Sequence, residues 1–318
     1  RLNQFAHYRA TIDGLRIHFI HEKGKGPRPL PLVITHGWPG SFAEMLKIIP
    51  LLTDPVNHGA HAEDAFDIVV PSIPGFVFSD APPRREMTPG RIADTWAALM
   101  AELGYRRFAA QGGDWGAAIS SAIGLQHAER VIGIHLNFIA GRFLVDNTSK
   151  DTASATFLDR HRIWSEVEAG YSHQQGTRPQ TLGFGLTDSP IGLAAWIIEK
   201  FRAWTDWKDD FERTISRDEL LTNVMLYWIT GSINTSMRIY YESREAPLRL
   251  TPRSRVTVPV GFAVFPRENP MPTQEIAERG FNVTRWAMMP TGGHFAAMEQ
   301  PQLLASELRE FFRPLRAQ

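Results

Sequence analysis

An aspartate set between glycines is the residue of this sequence that most directly suggests chemistry. Asp114 lies at the centre of Gly-Gly-Asp-Trp-Gly, within the stretch FAAQGGDWGAAISS at residues 108–121. A β-type apolar run precedes it and a helix-forming run follows it, which predicts a sharp strand-to-helix turn. Such a turn holds a nucleophile in a strained conformation between small residues. Asp114 is therefore the candidate nucleophile, and the alternative is that it only caps the helix that follows it.

A second motif follows an earlier apolar run. His36-Gly37-Trp38-Pro39 comes directly after PLVIT, which is predicted to be a buried strand. A loop in this place can point a backbone N–H toward the space above the nucleophile. The backbone N–H groups of Trp38 and Trp115 are therefore predicted to form an oxyanion hole. An ordinary Gly/Pro turn explains the same letters.

The candidate base and acid lie late in the chain. Gly292-Gly293-His294-Phe295 follows the last predicted strand, where a catalytic histidine is expected. Glu268 follows the preceding strand, GFAVF, and is the preferred acid. Asp146, after the strand RVIGIHLNF, is the rival, although it lies in a polar NTSKD stretch that suggests exposure. The order Asp114, Glu268, His294 is the order nucleophile, acid, base.

The elements that must position these groups alternate between strands and helices. HYRATID and LRIHFIHE, separated by Asp13-Gly14, predict a hairpin. Short apolar strands then alternate with helices to about residue 140, as in a mostly parallel, twisted sheet flanked by helices. Residues 141–250 are helical and aromatic, and the strand pattern resumes at VTVPVGFAVF. We therefore expect an α/β-hydrolase fold with core segments 1–140 and 251–318 and an inserted helical cap, 141–250.

Composition narrows the classes of partner. Lys and Arg total 34, as do Asp and Glu, so the formal net charge is zero and no footprint for nucleic acid is expected. The sequence has no cysteine and no apolar run of about 18 residues. We expect a soluble, cytoplasmic protein with no cofactor, no metal and no membrane span, and the sequence does not indicate its oligomeric state.

The motifs also carry a resemblance. HGWPGSFAEM, PSIPGFVFS, GGDWG and GGHFAAMEQP, together with the aromatic cap, resemble the microsomal-type epoxide hydrolases of the α/β-hydrolase superfamily. The resemblance extends almost from end to end. The longer segment that usually precedes RLNQF in that family is not part of this sequence, so the chain is either a trimmed form or does without it.

The resemblance implies an enzyme that converts a hydrophobic epoxide and water to a vicinal diol. A carboxylate is charged at neutral pH and can attack an epoxide carbon without a base. The attack forms an alkyl ester on Asp114, and water activated by His294 hydrolyses this ester. Glu268 would orient the imidazole of His294 and stabilise its cation.

The resemblance further implies two tyrosines that hydrogen-bond the epoxide oxygen and donate a proton. Tyr171 in EAGYSHQQ and Tyr240 in SMRIYYES match those positions, with Tyr240 preferred to its neighbour Tyr241. The substrate pocket is expected to be largely apolar, with Phe76 and Trp115 on its wall.

Two other functions compete with this one. A haloalkane dehalogenase shares the aspartate and histidine, but it binds a halide through N–H donors, and the two tyrosines favour the epoxide. A non-catalytic relative that only binds an apolar ligand is the second alternative. The presence of all five candidate catalytic side chains argues against it.

Overall fold

The computed structural model describes residues 1–85, 87–145 and 151–316. Within these residues, eight strands form one sheet in the order β1-β2-β4-β3-β5-β6-β7-β8. The strands are β1 (His7–Ile12), β2 (Leu15–Glu22), β3 (Leu30–Thr35), β4 (Phe66–Pro71), β5 (Phe108–Gly112), β6 (Val131–Leu136), β7 (Val256–Val264) and β8 (Phe281–Met288).

The first two strands form the predicted hairpin. β1 pairs with β2 in antiparallel register, with Ile12 opposite Leu15. Asp13 and Gly14 form the turn with φ angles of 48° and 80°. Two left-handed residues match the twist of a hairpin, which is why Asp-Gly is favoured at this place. β2 continues antiparallel beside β4.

The remaining strand pairs are parallel, from β4 through β3, β5, β6 and β7 to β8. The carboxyl ends of parallel strands meet at one edge of the sheet, and ligands bind at this edge in open α/β sheets. The loops after β3, β5, β7 and β8 therefore converge, and these are the loops on which the sequence analysis placed Trp38, Asp114, Glu268 and His294. The predicted α/β-hydrolase fold is confirmed.

The α-helices of the described residues flank the sheet or form the insertion. They are α1 (Ile48–Thr53), α2 (Pro89–Glu102), α3 (Asp114–Gln126), α4 (Thr152–Glu168), α5 (Gly170–Thr177), α6 (Pro179–Asp188), α7 (Pro190–Trp204), α8 (Phe211–Thr214), α9 (Arg217–Thr230), α10 (Ile233–Glu245), α11 (Gln274–Ala277), α12 (Ala296–Glu299) and α13 (Pro301–Phe312).

The packing helices cover both faces of the sheet. α2 and α3 pack together on one face, and α1 and α13 pack together on the other. Large side chains such as Trp96, Phe108 and Phe312 are fully buried between these layers. Burying an aromatic side chain of this size stabilises the fold by roughly 1.5–3 kcal/mol.

One predicted helix differs from expectation. The segment after Ser41 begins as a 3-10 helix, Phe42–Lys47, and becomes α-helical only at α1. Ser41 caps it, because its hydroxyl accepts a hydrogen bond from the backbone N–H of Ala43 at 3.2 Å. Pro50 explains the break, since proline has no N–H and fits the first turn of a helix but not its interior.

The helices α4 to α10 form the insertion between β6 and β7. Its two connections meet at its base, where the backbone N–H of Leu250 donates to the carbonyl of Phe143 at 2.9 Å. The division into core and cap at residues 140 and 250 stays a prediction. No single helix in the described ranges is long and apolar enough to span a membrane, and the one helix pair that qualifies, by length and composition alone, is α6 with α7, bent by 118°.

Candidate active site

The turn between β5 and α3 places Asp114 above the carboxyl edge of the sheet. Asp114 has a φ of 49°, a left-handed conformation that is rare for a residue with a side chain. Gly116 allows α3 to approach β3, since a Cβ there would lie 1.9 Å from the carbonyl oxygen of Thr35. Gly37 is required opposite, because its Cβ would lie 2.3 Å from the Asp114 carboxylate. A side chain at Gly37 would therefore collide with Asp114, and one at Gly116 would push α3 and its first residue, Asp114, away from β3.

The loop after β3 donates a hydrogen bond to the same carboxylate. The backbone N–H of Trp38 lies 2.9 Å from Oδ1 of Asp114. Trp115 is in the first turn of α3, where backbone N–H groups have no acceptor within the helix. Among the described residues, no hydrogen bond joins the Trp115 N–H to the carboxylate, so its oxyanion role stays a prediction.

His294 lies between two carboxylates. Its Nε2 is 3.5 Å from Oδ2 of Asp114, and its Nδ1 is 2.6 Å from Oε1 of Glu268. The side chains of His294 and Glu268 are only 3% and 2% exposed. Burial alone would lower the pKa of His294, but the charges of Glu268 and Asp114 outweigh burial and raise this pKa well above its usual value. The imidazole is therefore held as a cation while both carboxylates are charged.

The loops after β7 and β8 are joined to each other and to the insertion. The backbone N–H of Arg267 donates to the carbonyl of Gly292 at 3.1 Å, which aligns the loop of Glu268 with that of His294. The backbone N–H of His294 donates to the carbonyl of Trp204, at the end of α7, at 2.9 Å. The position of the histidine therefore depends on both core strands and on a cap helix.

Glu299 is a site residue that the sequence analysis did not identify. Its carboxylate accepts hydrogen bonds from the backbone N–H groups of Asp206, Gly293 and Phe295 at 2.7–2.9 Å. Burial raises the pKa of Glu299 to about 7, against these hydrogen bonds, which lower it. These hydrogen bonds fix the backbone on both sides of His294, at Gly293 and Phe295. A glutamate five residues after the histidine, in GGHFAAMEQP, was the available signal.

The two predicted tyrosines face each other above Asp114. Their ring centroids are 5.9 Å apart, and the ring of Trp38 stacks on Tyr171 at 5.3 Å. Burial raises the pKa of each tyrosine above its usual value, and the charge of Asp114 raises it further. The hydroxyl of Tyr240 is buried with no hydrogen-bond partner among the described residues. Two neutral phenols therefore lie close to each other and to the candidate nucleophile.

A large cavity of about 490 Å³ opens above these groups, between the core and the insertion. Asp114, Tyr171 and Tyr240 line it. Its aromatic wall is formed by Trp115, Phe138, Phe143 and Trp164.

Three other residues that the sequence suggested for the site do not line the large cavity or lie outside the described residues. Phe76 is not on the wall of the large cavity; it is fully buried beneath the loop after β3, where its ring packs against His36 and Tyr227. Tyr241 does not line the cavity either. Its ring lies instead beside Arg85, 5.2 Å from the guanidinium. Asp146, the rival acid, lies outside the described residues.

A small cavity of about 20 Å³ lies beside the nucleophile and is lined by Asp114, His294 and Glu44, among others. A space of about 10–15 Å³ or more can hold one water molecule if polar groups surround it. Burial raises the pKa of Glu44 to about 8, with the charges of His294 and Asp114 acting in opposite directions. Glu44 stands within HGWPGSFAEM as the one acidic residue of this segment, but these letters do not show that its carboxyl group is buried beside Asp114.

Family comparisons agree with this geometry. Residues 1–45 match the family described as "Epoxide hydrolase N terminus", and residues 31–155 match the family "alpha/beta hydrolase fold". A relative from Stigmatella aurantiaca is 46% identical over 99% of this chain and 72% of its own. Epoxide hydrolase 1 of Sus scrofa is 40% identical over 100% of this chain and 76% of its own.

A solved structure extends the similarity to three dimensions. The juvenile hormone epoxide hydrolase of the silkworm Bombyx mori superposes with a TM-score of 0.85 at 34% sequence identity. The superposition covers 99% of this chain and 80% of that one. The similarity therefore includes the inserted helices as well as the sheet.

Proposed function

The chain belongs to the microsomal-type epoxide hydrolase family of the α/β-hydrolase superfamily, and from this membership we propose that it converts an epoxide to a vicinal diol through an ester on Asp114. The observation that carries the mechanism is the position of this carboxylate. One oxygen accepts the Trp38 N–H, the other faces His294, and the large cavity with its two tyrosines lies above.

Ring opening is the first step. A carboxylate oxygen of Asp114 attacks an epoxide carbon, the C–O bond of the ring breaks, and the ring oxygen takes a proton from Tyr171 or Tyr240. The raised pKa values of both tyrosines keep them protonated at neutral pH. A phenol still protonates an alkoxide, because the alkoxide is the stronger base. The products of this step are an alkyl ester and a phenolate.

Ester formation also changes the histidine. The charge of Asp114 is one of the causes that raise the pKa of His294, and esterification removes this charge. The pKa of His294 therefore falls after ring opening, and the proton of His294 can pass to the phenolate, which leaves a neutral tyrosine and a neutral imidazole. His294 becomes a neutral base only when the ester is present, which is when a base is required.

Hydrolysis is the second step. His294 accepts a proton from water as the water oxygen attacks the ester carbonyl carbon, and the oxyanion accepts hydrogen bonds from Trp38 and, as predicted, Trp115. The bond between the carbonyl carbon and the diol oxygen then breaks, and the diol oxygen takes the proton of the carboxylic acid formed on Asp114. Asp114 is left as a carboxylate and His294 keeps the proton it took from water, which restores their ion pair. Glu268 keeps the imidazole in one orientation throughout.

The small cavity supplies a place for the hydrolytic water. It contacts both Asp114 and His294, and the carboxyl group of Glu44 forms another polar wall. We assign Glu44 to holding this water in line with the carbonyl. A pKa of about 8 means that Glu44 is mostly neutral at pH 7 and can both donate and accept a hydrogen bond.

Single-turnover hydrolysis of styrene oxide in ¹⁸O-labelled water tests the ester. With enzyme in excess, the first diol should contain no label, and one ¹⁸O atom should appear in the peptide that contains Asp114. Label in the first diol would contradict the ester mechanism. Halide release from 1-haloalkanes without diol from styrene oxide would instead favour the dehalogenase.

A further inference from the structure

The large cavity is positively charged at its wall, although the whole chain has no net charge. Three arginines line it: Arg142, Arg244 and Arg249. Among its described lining residues, Asp114 is the only acid, and the proposed chemistry uses it as the nucleophile. Three cations against one carboxylate leave a net positive charge, which an apolar substrate alone does not require.

Arg142 is the innermost of the three. Its guanidinium lies 5.7 Å from the ring centroid of Trp115, the residue after the nucleophile, and 4.8 Å from the ring of Phe143. Burial lowers its pKa, while Tyr171, Tyr240 and Asp114 raise it, so all three of these groups are close enough to act on its charge. Arginine nevertheless keeps its proton in proteins.

The surface of Arg142 faces the large cavity. The side chain of Arg142 has a large accessible surface, although protein surrounds it on most sides and this burial lowers its pKa. Its accessible surface is the part that lines the large cavity. In the described part of the chain, no carboxylate forms an ion pair with this guanidinium. Its N–H groups are therefore available to a ligand.

We propose that the epoxide substrate carries a carboxylate and that Arg142 binds it, an inference that rests on the proposed epoxide hydrolysis. A guanidinium presents paired N–H groups that match the two oxygens of a carboxylate. The aromatic rings beside Arg142 restrict its side chain, so less rotamer entropy is lost on binding. The aromatic wall of the large cavity would hold the apolar body of the same substrate.

The other two arginines extend this charge along the cavity wall. Arg244 and Arg249 are both exposed. In the described ranges, the side chain of Arg244 makes one long hydrogen bond, of 3.5 Å, to the carbonyl of Gly176. Neither forms an ion pair among the described residues. Cations along a cavity of low dielectric raise the local concentration of anionic substrates. They would also hold the substrate carboxylate away from Asp114, which would repel it.

The test compares two substrates that differ in charge and hardly in shape: 4-(oxiran-2-yl)benzoate and its primary amide. We expect kcat/KM of the wild type to be at least about tenfold higher for the carboxylate, the lower range for a hydrogen bond to a charged group. This ratio should fall as NaCl is added, because salt screens the attraction. A ratio of one or less in the wild type would overturn the inference.

Variants identify the binding residue. Arg142→Gln should bring the ratio of the two kcat/KM values close to one, and Arg142→Lys should retain part of the preference. Arg160→Gln is the matched control, since it removes one exposed arginine of α4 that is not on the cavity wall, and it should leave the ratio unchanged. If Arg142→Gln slows both substrates equally, Arg142 acts on the reaction or the fold rather than on a carboxylate, and the inference is wrong.

The failure of this inference can be distinguished from failure of the proposed function. Turnover of styrene oxide and of the amide without preference for the carboxylate would contradict only the anionic substrate. Absence of diol from all of these epoxides would contradict the proposed function and the inference with it.

Discussion

At the scale of single residues, the site is an arrangement of coupled charges. His294 keeps its proton because Glu268 and Asp114 flank it, and the proposed ester removes one of these charges. In the proposed mechanism, the loss of the Asp114 charge in the first step lowers the pKa of His294 and so prepares this base for the second step.

His294→Gln should separate the two steps. Glutamine cannot accept the water proton, so hydrolysis should slow by about 10²–10⁴-fold, while ring opening by Asp114 continues. The measurement is intact-protein mass after mixing with styrene oxide, and the expected product has gained the mass of one epoxide.

The same substitution on an Asp114→Ala background serves as control and should show no added mass. Diol formation at the wild-type rate by His294→Gln alone would contradict the assignment of the base.

At the scale of elements, a cap helix supports the loop that carries Trp38. Asn223 in α9 donates from Nδ2 to the carbonyl of Pro39 at 2.8 Å and accepts from the hydroxyl of Ser41 at 2.8 Å. Tyr227, one turn later, donates to the carbonyl of Gly40 at 2.6 Å. The N–H that contacts Asp114 is thus held in place from both the core and the cap.

Asn223→Leu should weaken both stability and catalysis. The leucine leaves the buried carbonyl of Pro39 without its donor, which costs about 1–3 kcal/mol in the free energy of unfolding. Because the Trp38 loop loses support, kcat should also decrease. Urea unfolding and styrene oxide turnover measure the two effects.

Asn282→Leu is the matched control for this variant. It removes a similar hydrogen bond, to the carbonyl of Thr257 at 3.0 Å, from a half-buried position in β8, far along the chain from the Trp38 loop. Its kcat should equal that of the wild type. If Asn223→Leu lost stability while keeping full kcat, α9 would stabilise the loop without positioning Trp38.

At the scale of the whole molecule, two buried groups of the site, Glu44 and His294, link the stability of the fold to pH. The pKa of Glu44 is raised from 4.5 to about 8, mainly by burial, and the pKa of His294 is raised as well. A raised pKa in the folded state means that the folded protein binds more protons than the unfolded one at intermediate pH. Both contributions to stability are therefore lost as the pH rises.

The pH dependence of unfolding should show this loss. The contribution of Glu44 is complete below about pH 4.5 and disappears as the pH rises through about 8. Between these pH values, Glu44→Gln should reduce the slope of the free energy of unfolding against pH by up to about 1.4 kcal/mol per pH unit. This is the slope that one proton taken up on folding produces. Urea unfolding at a series of pH values measures it.

Glu63→Gln, at an exposed position, changes the same charge and should leave the slope as in the wild type. Parallel curves for the wild type and Glu44→Gln would show that the buried carboxyl does not take up a proton on folding.

Much of the fold and the order of the candidate catalytic groups could be predicted from the sequence. The hairpin at Asp13-Gly14, the alternation of strands and helices, and the turn at Asp114 are local patterns, because turn type and burial period depend on neighbouring residues. The places of Glu268 and His294 follow from these patterns, since parallel strands end at one edge. Their catalytic roles stay predictions until they are tested.

The tertiary structure alone identified the residues that act on this site from a distance. Glu44 and Glu299 lie within quoted motifs, but the letters do not show that these carboxyl groups are buried beside His294. Asn223 and Arg142 lie outside those motifs, and Phe76 was expected on a wall that it does not reach. Whether a polar side chain is buried, paired or open to a cavity depends on segments brought together from far along the chain. Local sequence determines where a strand ends and which residue follows it, but the charge and shape of the space above that residue are set by packing.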